Sequence, residues 1–124
     1  MPIVWEIKQT PGGNKYSRSV ATGRITMADV HQLQTESGPG GPIHGLSSVS
    51  INSPDMVIEP DARRAFSDMV AVSQSGFYAL VVTSAPMRVM MTFILRISGK
   101  ASNTQLFGDE ASATAWVAEK VDKR

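Results

Sequence analysis

Apolar and polar side chains alternate at the start of the chain. Residues 3–8 (IVWEIK) follow this period of two, which predicts a strand with one wetter face. Residues 11–14 (PGGN) have the composition of a turn, because glycine and asparagine tolerate a positive φ. Residues 17–25 predict a second strand, so the first two strands are expected to form a hairpin.

Helix start signals and a further strand follow the hairpin. Thr26 opens a short helix, and Asp29 stands three residues later in a capping-box arrangement. Residues 46–51 predict a third strand. The second helix is expected to begin at Pro60, because the missing N–H of a proline would be unpaired in the first turn of a helix anyway.

The last third of the chain has the clearest pattern. Residues 78–82 (YALVV) are continuously apolar, as expected for a central strand covered on both faces, and we expect Leu80 and Val82 to be buried. A third helix, a last strand and a fourth helix follow at residues 85–99, 105–107 and 108–123. A buried strand followed by a helix and another strand is typical of a parallel sheet. We therefore predict an α/β fold with a mixed sheet of about five strands and about four helices.

Length and composition narrow the class of protein. Residues 1–124 are expected to form a single domain, and 42% hydrophobic with 19% charged residues suits a soluble globular protein. A net charge of +1 with scattered Lys and Arg argues against nucleic-acid binding. The chain has no cysteine, no signal-peptide pattern and no apolar run near the roughly 20 residues of a membrane span. We therefore expect a cytoplasmic protein that does not span a membrane.

Five short segments carry a resemblance to a known family. They are residues 23–26 (GRIT), 60–66 (PDARRAF), 79–88 (ALVVTSAPMR), 107–111 (FGDEA) and 115–117 (AWV). In this order the chain resembles the SpoIIAA-like, or STAS-like, small α/β proteins of bacteria, which are also grouped with SEC14-like domains. The resemblance implies a mixed sheet with helices packed on it. In the STAS branch it also implies regulation by protein–protein contact instead of catalysis.

The same resemblance draws attention to Ser53. Anti-anti-sigma proteins of the STAS family place a phosphorylatable serine, usually in an Asp-Ser-Ser-Gly phrase, where a helix begins after the third strand. The matching residues 51–56 (INSPDM) lack that phrase. Ser53 is a weak candidate phosphosite, because a phosphate near a helix start would be electrostatically tolerated. The alternative is a turn serine before a proline, which we prefer.

The patterns of common enzyme sites are missing from the sequence. His31 and His44 are the only histidines, and neither has a second ligand at the spacing of a metal site. Both are therefore interpreted as surface residues. No serine lies in a Gly-x-Ser-x-Gly elbow, and no glycine-rich stretch ends in the Lys-Ser/Thr of a P-loop. We expect a protein without catalytic residues, bound metal or cofactor.

The third helix carries more apolar surface than a sheet requires. At about 100° per residue, Arg88, Thr92 and Arg96 form a narrow polar stripe, and the apolar arc spans about 240°. The middle of this arc, which includes Phe93, is expected to face the sheet. Met91 and Leu95 are then expected at its edge, beside Arg88. Neighbouring elements cover these two side chains, or they form an exposed strip.

An exposed strip would suit a partner protein, a homodimer or an acidic amphiphile. The candidate partner-binding residues are Arg88, Met91, Leu95 and Arg96. The favoured function is a non-enzymatic regulatory or scaffold module that binds another protein, or a second copy of itself, in a bacterial cytoplasm. The alternative, implied by the SEC14-like side of the resemblance, is a carrier of a small apolar ligand or lipid. A cavity walled by methionines of the third helix would favour the carrier.

Overall fold

The computed structural model describes residues 3–72, 76–98 and 103–123, with the backbone alone at residues 67–72, 94–95 and 97–98. These residues form seven strands and four helices. The strands are β1 (Ile3–Gln9), β2 (Lys15–Ala21), β3 (Arg24–Ile25), β4 (Ser47–Asn52), β5 (Val57–Ile58), β6 (Tyr78–Val82) and β7 (Thr104–Phe107). The helices are α1 (Met27–Ser37), α2 (Pro60–Val72), α3 (Ala85–Ser98) and α4 (Glu110–Asp122).

Five of the strands form one mixed sheet in the order β1-β2-β4-β6-β7. β1 and β2 pair antiparallel, as a hairpin requires, while the pairs β2–β4, β4–β6 and β6–β7 are parallel. β6 therefore lies inside the sheet, between β4 and β7. The mixed α/β sheet, the initial hairpin and the central position of residues 78–82 are all confirmed.

The predicted second strand is divided in two. Residues 17–25 were expected to be one strand, but β2 ends at Ala21, and Gly23 adopts a φ of 67°. Glycine reaches this region without the steric cost of a side chain, so the chain turns out of the main sheet here. β3 then pairs with β5 as a separate two-stranded parallel sheet. The sequence patterns did not predict β5, because its two residues are too few to show a period.

Two hydrophobic clusters lie on opposite faces of the main sheet. On one face, which we call the three-helix face, Leu80 and Val82 of β6 belong to a cluster with buried residues of α1, α2 and α3. On the other, the α4 face, Ala79 and Val81 cluster with buried residues of α4. Leu80 and Val82 are fully buried, as predicted. Alternation of side chains along β6 thus supplies both cores from one strand.

Polar side chains cap the starts of α1 and α4. The capping box of Thr26 and Asp29 at α1 is confirmed: the Asp29 carboxylate accepts the Thr26 backbone N–H at 2.8 Å. Asp109 caps α4 by accepting the Ser112 N–H at 2.7 Å, and this hydrogen bond lowers the pKa of Asp109. Each cap satisfies a donor that a helix start leaves unpaired.

Two carboxylates then connect α4 to the first hairpin. Glu110 accepts two hydrogen bonds from the Arg18 guanidinium of β2, at 2.7 and 3.0 Å, which lowers the Glu110 pKa. At the other end, Asp122 accepts the Thr10 hydroxyl at 2.5 Å, the Asn14 amide at 2.7 Å and the Gly12 N–H at 3.1 Å. The same hydrogen bonds lower the pKa of Asp122. α4 is therefore held to the hairpin turn as well as to the sheet.

Candidate partner-binding surface on the third helix

α3 begins directly after the central strand β6. Its first turn includes Pro86, and the Arg88 N–H donates to the Ser84 carbonyl at 3.0 Å. The helix contacts α2 as well as β6 and β7. Because α3 is bounded by the sheet on one side and by α2 on another, these two neighbours decide which part of its wide apolar arc is buried.

Met91 lies in the core. It is 1% exposed and packs in the cluster of the three-helix face, with Met87 and Met90 of the same helix partly buried against that cluster. Of the two alternatives that the sequence left open, the covered one is correct for Met91, and its candidacy as an exposed partner-binding residue is wrong. The physical reason is the position of α2, which with the sheet encloses the side of α3 that carries Met87 and Met91. The Leu95 side chain lies outside the described residues, so its placement stays a prediction.

Among the side chains of α3 that the structure describes, the large apolar ones that are exposed are Val89 and Phe93. Val89 is 72% exposed and Phe93 is 64% exposed. They lie four residues apart, so they are neighbours on one side of the helix. Phe93 was expected to face the sheet, and that expectation is wrong for the same reason that Met91 is buried. The strip of exposed apolar surface exists, but on the opposite edge of the arc.

The polar stripe with two arginines runs along one side of this strip: Arg96 lies beside Val89, and Arg88 lies at the far edge of the stripe. Arg88 and Arg96 are exposed, and within the described part of the chain neither forms an ion pair. Thr92, between them in sequence, donates its hydroxyl hydrogen to the Arg88 backbone carbonyl at 2.8 Å. We call the surface formed by Arg88, Val89, Phe93 and Arg96 the α3 outer face. It contains two predicted site residues, Arg88 and Arg96, together with Phe93, which was expected to face the sheet, and Val89, which the sequence analysis did not single out.

A signal for the outer face was present in the sequence. The polar stripe of α3 has two apolar neighbours, one on each side: Met91 next to Arg88, and Val89 with Phe93 next to Arg96. Periodicity fixes this arrangement but not its rotation about the helix axis. A choice between the two edges required the location of α2, which depends on the path of the chain through β5.

Ser53 lies in the turn that follows β4. Its N–H donates to the Ala21 carbonyl at 2.9 Å, and its hydroxyl donates to the Asp55 carboxylate. The next helix, α2, begins only at Pro60, after β5, so Ser53 is not at a helix start as the phosphosite hypothesis assumed. A phosphate on Ser53 would face the Asp55 carboxylate, which is unfavourable. Phosphorylation of Ser53 stays a prediction.

The two histidines are on the surface, as interpreted from the sequence. His31 is exposed on α1, and the exposed His44 has its Nδ1 3.0 Å from the Ser37 carbonyl oxygen. In the parts of the chain that the structure describes, no three His, Asp or Glu side chains are grouped closely enough to hold a metal ion. Among the same residues, no helix is long and apolar enough to cross a membrane.

A small cavity lies between the main sheet and the helices of the three-helix face. Its volume is about 40 Å³, and its walls include Val30, Phe66 and Met91. Its floor is polar: the Ser19 and Ser50 hydroxyl oxygens are 3.1 Å apart there, and Asn52 lies beside them. The volume is far below the roughly 300 Å³ of pockets for drug-sized ligands. In this conformation the cavity has room for a few water molecules.

Comparison with known proteins places the fold. No protein-family model matches the chain, and no curated protein matches it in sequence. A solved structure from Shewanella loihica is similar: an uncharacterized protein of the DUF3478 family with a SpoIIAA-like fold. The two chains share 14% sequence identity, superpose with a TM-score of 0.66, and match over 93% of each chain. The chain therefore has a SpoIIAA-like fold, as the resemblance implied.

Proposed function

We propose that this chain is a non-enzymatic regulatory or scaffold module that acts by binding another protein in a bacterial cytoplasm. The observation that carries the proposal is the exposure of Val89 and Phe93, side by side on α3, next to a polar stripe whose two arginines have no ion pair in the described residues. The SpoIIAA-like fold, with its STAS branch, supports a regulatory module at the level of the fold.

The composition of the α3 outer face fits a protein interface. Phenylalanine and arginine are enriched in such interfaces, and arginine and aromatic anchors contribute much of the affinity. A partner that covers Phe93 would remove a large apolar side chain from water, which stabilises the complex. The arginines of the neighbouring polar stripe add specificity, because they attract an acidic partner and disfavour a basic one.

The test compares proteins captured from the native cytoplasm by three forms of the tagged chain. These are the wild type, the double variant Val89→Ser/Phe93→Ser and a control, Val57→Ser. Val57 is an exposed apolar residue on β5, so its replacement removes exposed apolar surface without changing a residue of the α3 outer face. We expect one protein to be lost from the double variant and kept by the control. That protein, once purified, should bind the double variant at least about tenfold more weakly, which corresponds to ~1.4 kcal/mol.

Binding that is equal for the three folded chains would contradict the proposal. The melting temperature of the double variant is the internal check, since surface substitutions usually change stability by no more than about 0.5 kcal/mol.

A second candidate function, a carrier of a small apolar ligand or lipid, is favoured by the cavity beneath the helices. Met91 of α3 forms part of its wall, and the hydroxyl pair of Ser19 and Ser50 could bind the polar head of an amphiphile. Because the cavity is small, Met91 and Phe66 would have to move to admit a ligand. Titration with octanoic acid tests this: binding to the wild type that Ser50→Leu abolishes, by filling the cavity, would favour the carrier. Equal heats for both chains would argue against it.

A further inference from the structure

β1 presents a long unpaired edge. It is seven residues long, contains no proline and lies at the end of the main sheet, bonded to β2 on one side. Nothing in the described ranges pairs with its other side. Edge strands of this length are usually protected by charged side chains, proline, bulges or a covering element, because an open edge can pair with another strand.

The direction of the free backbone groups in β1 follows from the hairpin. The Thr10 N–H donates across the hairpin to the Asn14 carbonyl, and the Ala21 carbonyl of β2 points away from β1, to Ser53. Because the two sides alternate along an antiparallel pair, even-numbered residues of β1 bond to β2. The N–H and C=O groups of Trp5, Ile7 and the other odd-numbered residues therefore face outward.

Apolar side chains accompany this edge. Val4 is 61% exposed and Ile7 is 44% exposed, on opposite faces of the strand. Two opposite charges accompany them: Glu6 lies between Val4 and Ile7 in sequence, and Lys8 follows Ile7. Both charges are on the face of the strand that carries Val4. The contacts of Glu6 within its own chain are long, at 3.5 Å to Arg18 and 3.8 Å to Lys8. Both charges are thus available to a strand added at the edge.

Charge complementarity selects one register for a second copy. In a symmetric antiparallel pair of β1 strands, the twofold axis passes between the two copies of one residue, which then lie directly opposite each other. An axis at Glu6 or at Lys8 places that charge directly opposite itself, which is destabilising. An axis at Ile7 instead places Glu6 opposite the partner's Lys8, and Lys8 opposite the partner's Glu6. It also pairs Ile7 with the partner's Ile7 through outward-facing backbone groups, as the hydrogen-bonding pattern requires.

We infer that two copies of this chain associate through β1, antiparallel about an axis at Ile7, to form one continuous ten-stranded sheet. The occupant of the edge is the second copy because the charges of the strand complement themselves in this register and repel in the adjacent ones. The surface is separate from the α3 outer face. It therefore goes beyond the proposed function, and either can fail while the other holds.

Cysteine cross-linking tests the register directly, since the natural chain has no cysteine. At an axis through residue 7, the two Cα atoms are about 5.5 Å apart, within disulfide range. Mild oxidation of Ile7→Cys should therefore yield a covalent dimer. Val4→Cys is the matched control: Val4 is more exposed, yet its two copies would lie about 20 Å apart, six residues along the strands. Equal cross-linking of the two variants would overturn the proposed register.

Charge reversal tests the occupant. Glu6→Lys leaves two lysines on the strand face, and Lys8→Glu leaves two glutamates, so each variant should repel its own copy and sediment as a monomer. Mixed in equal amounts, the two variants should dimerise, because every facing pair is then opposite in charge. A wild type that sediments as a monomer up to about 1 mM overturns the proposal. So does a β1 edge that pairs with a different polypeptide instead of a second copy. Circular dichroism spectra that match the wild type confirm that both variants are folded.

Discussion

α3 and α4 are of similar length and lie on opposite faces of the sheet, but their side chains are arranged to different effect. α4 (13 residues) buries Ala113, Val117 and Val121, which are spaced four residues apart and form one inward stripe. α3 (14 residues) buries Met91 and leaves Val89 and Phe93 largely in water. One helix encloses its apolar surface within the fold, while the other retains some outside it.

The charged residues of the two helices differ in the same way. Glu110 and Asp122 at the ends of α4 bind Arg18 and the hairpin turn, and their lowered pKa values reflect those contacts. Arg88 and Arg96 of α3 form no ion pair in the described residues. Side chains that stabilise the fold are thus satisfied internally, whereas the α3 outer face carries apolar and charged groups that a partner could satisfy. This difference is the physical basis of the proposed function.

The largest expected difference in stability is between two variants, each of which places a carboxylate in one of the two helices. Val117→Asp buries an unpaired carboxylate among the side chains of the α4 face, which should cost at least about 4 kcal/mol. That is most of the stability of many domains, so the variant should be unfolded or nearly so at 25 °C. Phe93→Asp should change the free energy of unfolding by no more than about 1 kcal/mol, because Phe93 faces water. Urea unfolding followed by circular dichroism measures the free energy of unfolding of both variants. Similar decreases in the two variants would contradict the proposed difference between α3 and α4.

A smaller effect separates two positions within α3 itself. Met91→Ala removes a fully buried side chain and should lower the free energy of unfolding by about 2–5 kcal/mol. Phe93→Ala, two residues later, should lower it by no more than about 0.5 kcal/mol. Both variants need unfolding transitions with the same denaturant dependence for the comparison to be valid. The reverse order of stability would mean that the helix is rotated and that Met91 belongs to the outer face after all.

The smallest effect concerns the carboxylate that holds α4 to the hairpin turn. Asp122 has a lowered pKa in the folded chain, so its contribution to stability is present above the unfolded value near 4 and is lost as the pH falls through the folded value. Asp122→Asn should therefore lower the melting temperature at pH 7. The difference from the wild type should shrink below about pH 4. A difference that stays constant down to the lowest pH at which both chains fold would show that the charge of Asp122 plays no part.

Local patterns were sufficient for much of the fold. Continuous apolar residues identified β6 as a central strand, and the capping pair Thr26 and Asp29 marked the start of α1, because these signals act over a few residues. The break at Gly23 was missed, since a glycine inside an apolar stretch is compatible with a strand or with a turn.

Local patterns could not predict the long-range contacts of α4 or the rotation of α3. Arg18 and Glu110 are 92 residues apart, and Thr10 and Asp122 are 112 apart, so no local pattern pairs them. The rotation of α3 was equally inaccessible, because its polar stripe has an apolar edge on either side and only the placement of α2 decides which edge is covered. The sequence therefore predicted the helix that carries the outer face, and two of its arginines, but not its apolar residues.

The contact between Asp122 and the hairpin turn also has a consequence for the order of folding. During synthesis, β1, β2, β4, β6 and β7 are all made before α4. In the part of the chain that the structure describes, α4 is the helix that covers the apolar side chains of the α4 face, among them Val49 and Val81. A nascent chain must therefore keep this half of the sheet out of aggregates until residues 110–122 emerge. The hydrogen bonds of Asp122 then join the turn of the first hairpin to α4. Such long-range closure is slow, so the α4 face is where a chaperone would have the longest opportunity to bind.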